Sequence, residues 1–460
     1  MTRVLLQRVT RRSLVLIAFE TILILAAVAL AAVVRLGLDA LTESIAFKGL
    51  LIAGVCQLCL YYAELYDTRI FADRRELCVR MLQALGASSL ILGLLYYWLP
   101  DLVIGRGVFL IAAGVAMLLV VGWRLLFDWV VGQVGPRERL LLVGTSAAAV
   151  GLARELHDLR HDLGVEIAGF VDPDPSRIGE SVLNPGIVGT VDEFPAIVRA
   201  RTVERVVVSL GDARGKLPMD RLLDMKLRGV TFDHLASVYE EYTGKIAIEN
   251  LRPSWLIFSP GFRKSRLLTT AKRSADLLAA LLGLLVTLPV AALIALAVKL
   301  TSPGPVLYHQ GRTGQHDRVF TIHKFRSMVH NAESRTGAVW AQSNDSRITP
   351  VGRLLRRTRL DELPQLWNVL RGDMSLVGPR PERPEFVKEL TDQIPFYGLR
   401  HVVKPGLTGW AQVCYTYGAS VEDAMEKLQY DLFYIKNLSF ALDVFIVFKT
   451  IQTVVQGRGT

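Results

Sequence analysis

Four apolar runs occupy the first part of the chain: residues 13–34 with Glu20 as the one charge, 45–63 with Lys48 near the start, 81–100, and 107–123. Each can span about 30 Å of hydrocarbon as a helix. The first is too long and too acidic for a cleaved signal peptide and reads as a retained span. A fifth run, residues 277–298, has 22 uncharged residues with Pro289 in its middle. Proline deletes a helical hydrogen bond there, so this run is expected to bend. Between the fourth and fifth runs the periodicity changes to that of an α/β unit. Strands are expected at 139–144, 166–171 and 205–209, with helices at 147–156 and 219–228. A further strand is expected at 319–325.

The basic residues assign sides to these runs. Arg3, Arg8, Arg11 and Arg12 precede the first, Arg69, Arg74, Arg75 and Arg80 lie between the second and third, and Arg124, Arg137 and Arg139 follow the fourth. The two other loops hold only Arg35 and Arg106. The positive-inside rule therefore puts the N-terminus, and everything after the fourth span, in the cytoplasm. The fifth run has Lys264, Arg266, Lys272 and Arg273 before it and Lys299, Arg312, Arg318, Lys324 and Arg326 after it. Both flanks carry the cytoplasmic signature, so a re-entrant helix over 274–300, broken at Pro289, is expected in place of a crossing.

The α/β unit reads as a Rossmann-type domain with a degraded phosphate fingerprint. After Gly144, the next two glycine positions hold Ser146 and Ala149, which disfavours close approach of a pyrophosphate. Asp172 is either a ribose partner or a turn residue of its Asp-Pro-Asp-Pro segment. No tyrosine has a lysine four residues later, which argues against an NAD-dependent sugar dehydratase.

Composition supports the membrane assignment. The chain has 460 residues, 51% hydrophobic and 21% charged, with a mean hydropathy of +0.34. Such values exclude a disordered or fibrous chain. The net charge of +10 points to anionic partners: lipid, phosphorylated substrates or nucleic acid. Cys56, Cys59, Cys78 and Cys414 are too few and too scattered for a disulfide framework and read as packing residues.

The chemistry concentrates after the fifth run. Five arginines and no acid lie between Asp345 and Asp361, and Arg353, Arg356 and Arg357 share a helical face suited to headgroups or phosphates. Leu360-Asp361-Glu362-Leu363-Pro364-Gln365 follows directly. An acid pair before proline is ordinarily a charged helix start. In this cationic, interfacial setting, it can instead bind a divalent cation or attack phosphorus, and magnesium suits carboxylate and phosphate oxygens together. His309, His316, His323 and His330 recur every seven residues, but intervening turns keep them off one helix face. Trp410, Tyr415 and Tyr417 are either core residues or a stacking surface for uracil.

From Phe262 onward the chain resembles the bacterial sugar transferase domain of the monotopic polyprenyl-phosphate phosphoglycosyl transferases. The matching stretches are Lys272-Arg-Ser-Ala-Asp276, Ser302-Pro-Gly-Pro305, Lys324-Phe-Arg-Ser-Met328, Leu360-Asp-Glu-Leu-Pro-Gln365, Val377-Gly-Pro-Arg-Pro381 and Lys404-Pro-Gly-Leu-Thr-Gly-Trp410. Four leading spans and a nucleotide-type domain are similar to the large subclass, which includes undecaprenyl-phosphate glucose and galactose phosphotransferases. Glu249-Asn-Leu-Arg-Pro-Ser-Trp255 looks like the exopolysaccharide branch.

The resemblance implies a membrane α plus α/β protein with a four-helix transmembrane N-terminus (1–135), a degenerate Rossmann-like cytoplasmic domain (136–260) and a catalytic α/β domain (261–460) with the re-entrant helix. It implies transfer of sugar 1-phosphate from a UDP-sugar to undecaprenyl phosphate, with release of UMP, at the inner membrane of a bacterium and on its cytoplasmic face. Asp361 would be the nucleophile, forming an aspartyl phospho-sugar, and Asp361 with Glu362 would hold Mg2+. Lys324, Arg326, Arg353 and Arg380 would bind substrate phosphates. A homodimer is compatible with the resemblance; nucleic acid is not an expected partner. Where the family has Ser-Pro at the helix break, this chain has Leu288-Pro289, with Thr287 placed to make the serine's backbone bond. The competing class is a non-enzymatic sensor or scaffold of polysaccharide export.

Overall fold

The computed structural model describes residues 11–37, 43–63, 65, 74–134, 138–158, 165–183, 185–209, 219–248, 261–262, 264–330, 332, 345, 347–415, 418 and 420–455. The Glu249–Trp255 motif, Tyr417 and the arginines at 3, 8, 69 and 137 lie outside them. The chain divides into two compact units, Thr2–Leu235 and Ala236–Thr460.

The first unit opens with four long helices, α1 (Arg11–Leu36), α2 (Glu43–Tyr62), α3 (Arg74–Trp98) and α4 (Arg106–Val134), each containing one of the expected apolar runs. Their interior combines large apolar side chains, such as Ile24, Leu60, Met81 and Leu92, with small ones. Small side chains such as Ala27, Ala31, Ala53, Ala84, Ala112 and Ala116 lie within it, whereas Leu90, Leu94, Leu110 and Leu118 are exposed. Small residues allow close backbone approach, which is how helices associate in lipid, where burying leucine gains nothing. One buried ion pair crosses this bundle: Arg124 on α4 meets Glu20 on α1 at 2.5 Å and also donates to the Leu65 carbonyl.

The same unit contains a parallel five-stranded sheet in the order β3-β2-β1-β4-β5. The strands are β1 (Glu138–Val143), β2 (Val165–Asp172), β3 (Ile187–Thr190), β4 (Arg205–Val208) and β5 (Thr231–His234), with helices α5 (Ala147–Asp158), α6 (Phe194–Ala200) and α7 (Met219–Leu227) between them. Continuous aliphatic runs such as Leu140 to Val143 suit strands buried on both faces. The strand order reverses at β1 and β4, the place where such sheets bind ligands. There Ser146 caps Ala149 and hydrogen-bonds Ser209, while Asp172 accepts from Thr145 at 2.6 Å and Arg177 at 3.0 Å. Asp172 is thus hydrogen-bonded within its own domain.

The second unit begins within α8 (Leu235–Thr243), whose residues from 236 onward pack on the C-terminal helices: Glu240 bonds Lys436 at 2.6 Å and Lys245 bonds Glu426 at 2.6 Å. Its spine is α9 (Arg266–Thr301), a 36-residue helix containing Pro289. The hairpin β6 (Leu307–Thr313) and β7 (Val319–Phe325) follows, then α10 (Pro350–Arg357), α11 (Gln365–Arg371), β8 (Ser375–Val377), α12 (Pro384–Gln393), β9 (Gly406–Thr408), α13 (Trp410–Cys414), α14 (Val421–Asn437) and α15 (Phe440–Val455). β8 and β9 pair in parallel.

The start of α9 is bolted to this body by three charged side chains. Lys272 meets Asp443 at 2.6 Å, Arg273 donates to the Val369 and Leu370 carbonyls at the end of α11, and buried Asp276 accepts from Ser375 and from the Leu376 amide. Beyond Asp276 the helix exposes an apolar surface including Leu278, Leu285, Val286, Leu288, Leu293 and Leu300. Five helices among the described residues, α9 included, are long and apolar enough to cross a membrane by length and composition.

Candidate active site

The acid pair is placed by a short chain of local decisions. Thr349 caps α10 by accepting from the Gly352 amide at 2.9 Å, and Pro350 occupies its first turn. Gly352 lies so close to the segment after β7 that a Cβ there would collide with the Ser327 carbonyl. After the helix, Arg359 adopts a left-handed backbone (φ 54°) and turns the chain into a 3-10 turn, Leu360–Glu362, before Pro364 and α11. A left-handed non-glycine residue beside a cluster of charges is the kind of local strain found at working sites. The turn buries both acids, each 7% exposed.

The two carboxylates face different surroundings. Asp361 lines a cavity of about 810 Å³, together with Lys324, Arg356, Arg359 and Arg380. Glu362 is not part of that wall. It lies beside the cations, its Oε1 accepting from Arg380 at 2.8 Å and Lys324 at 3.0 Å, with Arg359 at 3.9 Å from Oε2. Burial, and then the neighbouring Glu362 charge, push Asp361 up to about 6 against the pull of Lys324, Arg380 and Arg356. For Glu362, burial opposes ionisation, but Arg380, Lys324 and Arg359 outweigh it and hold the carboxyl well below the usual range. The site therefore contains one permanent anion embedded among cations and one adjustable carboxyl exposed to the cavity.

The expected phosphate ligands divide into three groups. Lys324 on β7 and Arg380, in the turn after β8, meet at Glu362. Arg326 lines the cavity but is anchored to the end of α9, donating to the Ser302 carbonyl and hydroxyl at 2.8 Å each; Gly304, with φ +116°, leaves room for it. Arg353 is exposed and lies outside the cavity wall. Only the C-terminal end of α10 reaches the cavity, so Arg356, one turn later, lines it instead. Pro289 lies exposed in mid-helix on α9, and Thr287 donates to the Gly283 carbonyl at 2.6 Å, the backbone bond expected of it.

Sequence reasoning missed a buried ion pair in the cavity lining. Arg400 is buried there, 2.8 Å from Asp431, and it donates to Tyr397 and to the Arg380 carbonyl. Burial raises Asp431 to about 6 despite Arg400. This network seats the Arg380 turn from behind. No motif links Arg400 and Asp431, which lie 31 positions apart on different elements, so no local signal could have found them. Trp410 is a core residue, stacked on Phe433 and donating to the Gly244 carbonyl, whereas Tyr415 lines the cavity. His309 and His323 are cross-strand neighbours on the hairpin, and among the described residues no group of three or more His, Cys, Asp or Glu is placed to hold a metal. The acid pair fits the expected joint magnesium site poorly, because one of its two carboxylates, Glu362, is already held by Lys324 and Arg380.

The family model for bacterial sugar transferases matches residues 267–457, the part containing every one of these groups. An Escherichia coli (strain K12) UDP-glucose:undecaprenyl-phosphate glucose-1-phosphate transferase is 36% identical over 329 residues, covering 69% of this chain and 68% of that protein. This chain belongs to the bacterial sugar transferase family. An exopolysaccharide production protein, PSS, from Rhizobium leguminosarum bv. phaseoli is 40% identical over 41% of this sugar transferase and 97% of its own length. A UDP-N-acetylgalactosamine-undecaprenyl-phosphate N-acetylgalactosaminephosphotransferase from Aeromonas hydrophila is 46% identical over 226 residues. The match spans about half of the Aeromonas protein, 52%. A CoA-binding domain model matches residues 62–216.

Proposed function

We propose that this protein transfers a sugar 1-phosphate from a UDP-sugar to undecaprenyl phosphate, as a first membrane step of exopolysaccharide or other glycoconjugate assembly. The observation that carries this reading is Asp361, a buried carboxyl facing a cavity whose wall includes Lys324, Arg356, Arg359 and Arg380, in the unit whose spine is an exposed apolar helix. In the first half-reaction an Asp361 oxygen attacks the β-phosphorus of the donor. The bond from that phosphorus to the bridging oxygen breaks, UMP leaves with the electron pair, and an aspartyl phospho-sugar remains. In the second, a phosphate oxygen of undecaprenyl phosphate attacks the same phosphorus and Asp361 is released. Lys324, Arg356, Arg359 and Arg380 stabilise the charge that builds on the phosphate oxygens, where phosphoryl transfer gains most of its acceleration.

The lipid substrate gives α9 its part. A helix of 36 residues is about 54 Å long at 1.5 Å per residue, well beyond the hydrocarbon thickness of about 30 Å. We read it as dipping into the inner leaflet and bending at Pro289, so that the chain returns to the cytoplasmic face with the acids at headgroup level. Arginines on both flanks support this. Membership of a transferase family disfavours the sensor or scaffold reading. The test is UMP release by the full-length protein in nanodiscs without lipid acceptor. One UMP or fewer per chain is expected from the cognate UDP-sugar, and none from Asp361→Asn. Multiple turnovers without acceptor, or release by Asp361→Asn, would defeat the covalent reading.

A further inference from the structure

We infer that Glu362 is a positioning residue that aims Lys324 and Arg380 at the donor diphosphate, and not a ligand for a divalent cation. This rests on the transferase reading above. Three observations converge on it. Glu362 lies off the cavity wall, while Lys324, Arg359, Arg380 and Asp361 are all on it. A single oxygen, Oε1, accepts from both Lys324 at 3.0 Å and Arg380 at 2.8 Å, which locks an ammonium from β7 to a guanidinium from the turn after β8. Those two elements share no strand pairing, since β7 pairs with β6 and β8 with β9.

A long cationic side chain left to itself samples many rotamers, and fixing two of them beforehand removes an entropic cost from the transition state. The buried carboxylate does this with charge-assisted hydrogen bonds, the strongest available in such a setting. It also balances part of the positive charge of the two side chains. Of the oxygens Glu362 could offer a metal, Oε1 is held by an ammonium and a guanidinium and Oε2 has the Arg359 guanidinium 3.9 Å away, a setting that disfavours a further dication. Asp361 is on the wall; Glu362 is not.

The experiment is a double-mutant cycle on the full-length protein, reading single-turnover UMP release with a UDP-sugar. Glu362→Gln is expected to lower the rate constant by about a hundredfold, the usual loss for one pre-organised donor, with KM for the donor changed by less than about threefold. In a Lys324→Met/Arg380→Met background the same substitution should cost almost nothing further, because its partners are gone. That triple variant also relieves the unpaired buried charge, so it reports even if Glu362→Gln alone folds poorly. Binding of Mn2+ to the UDP-loaded protein, read by electron paramagnetic resonance, should keep its affinity in Glu362→Gln. Additive losses in the cycle, or a tenfold or greater weakening of Mn2+ binding, would overturn the inference. The wild type is the control: if it releases no UMP from any UDP-sugar, the transferase reading fails, whereas failure of the cycle alone removes only the positioning role.

Discussion

Asp361 and Glu362 are adjacent in sequence and alike in chemistry, yet their environments drive them apart. Glu362 stays charged because three cations surround it, and Asp361 titrates because burial and its neighbour's charge resist ionisation. The pH consequence follows in sign. A nucleophilic carboxyl must be deprotonated, and Asp361 is raised to about 6, so UMP release should climb as pH rises through about 6 and level off above it. Asp431 titrates in the same region, but it touches Arg400 and not the acid pair, so the limb should persist in Asp431→Asn. For stability the same shift acts oppositely. A raised carboxyl binds more protons folded than unfolded, so its contribution falls as pH rises from the ordinary aspartate value of 3.8 toward 6. Stopped-time UMP assays and denaturant melts across pH 4 to 8, set by the usual carboxyl and histidine ranges, would separate the two.

At the scale of elements, the acid turn depends on how closely α10 approaches the end of β7. Gly352→Val should lower stability by roughly 1–3 kcal/mol through overpacking, because its Cβ would meet the backbone carbonyl of Ser327 and not a side chain that can move. Thermal melts would show this, and an unchanged Tm would mean that the two segments are not held in contact. Pro289 acts differently. Pro289→Ala restores a backbone donor to α9 and favours a straight helix. We expect it to slow the transfer to undecaprenyl phosphate while leaving single-turnover UMP release close to normal, since only the first process needs the helix to deliver the acids to the headgroup plane. Equal losses in both half-reactions would remove the bend from the account.

At the scale of the molecule, the re-entrant reading proposed for α9 requires both ends of that helix to emerge on the same side, as its basic flanks suggest. A cysteine introduced at exposed Arg353, in protein whose other cysteines are replaced, should be labelled by an impermeant reagent only in inside-out vesicles. Labelling in intact spheroplasts would mean that α9 crosses. Much of this architecture was legible along the chain. The four leading runs, the strands at 139–144 and 319–325, and the basic helix before the acid pair all depend on local periodicity, turn chemistry or unbroken apolar length, which neighbouring residues specify among themselves. The acid pair was also conspicuous, because its motif is contiguous. What tertiary structure alone decided is which side of the cavity wall each group occupies: that Asp361 faces in and Glu362 faces the cations, that Arg356 and not Arg353 reaches the cavity, and that Arg400 and Asp431 meet behind the Arg380 turn. Those outcomes arise from packing between elements far apart in sequence, and burial and long-range charge have no signature in any local window.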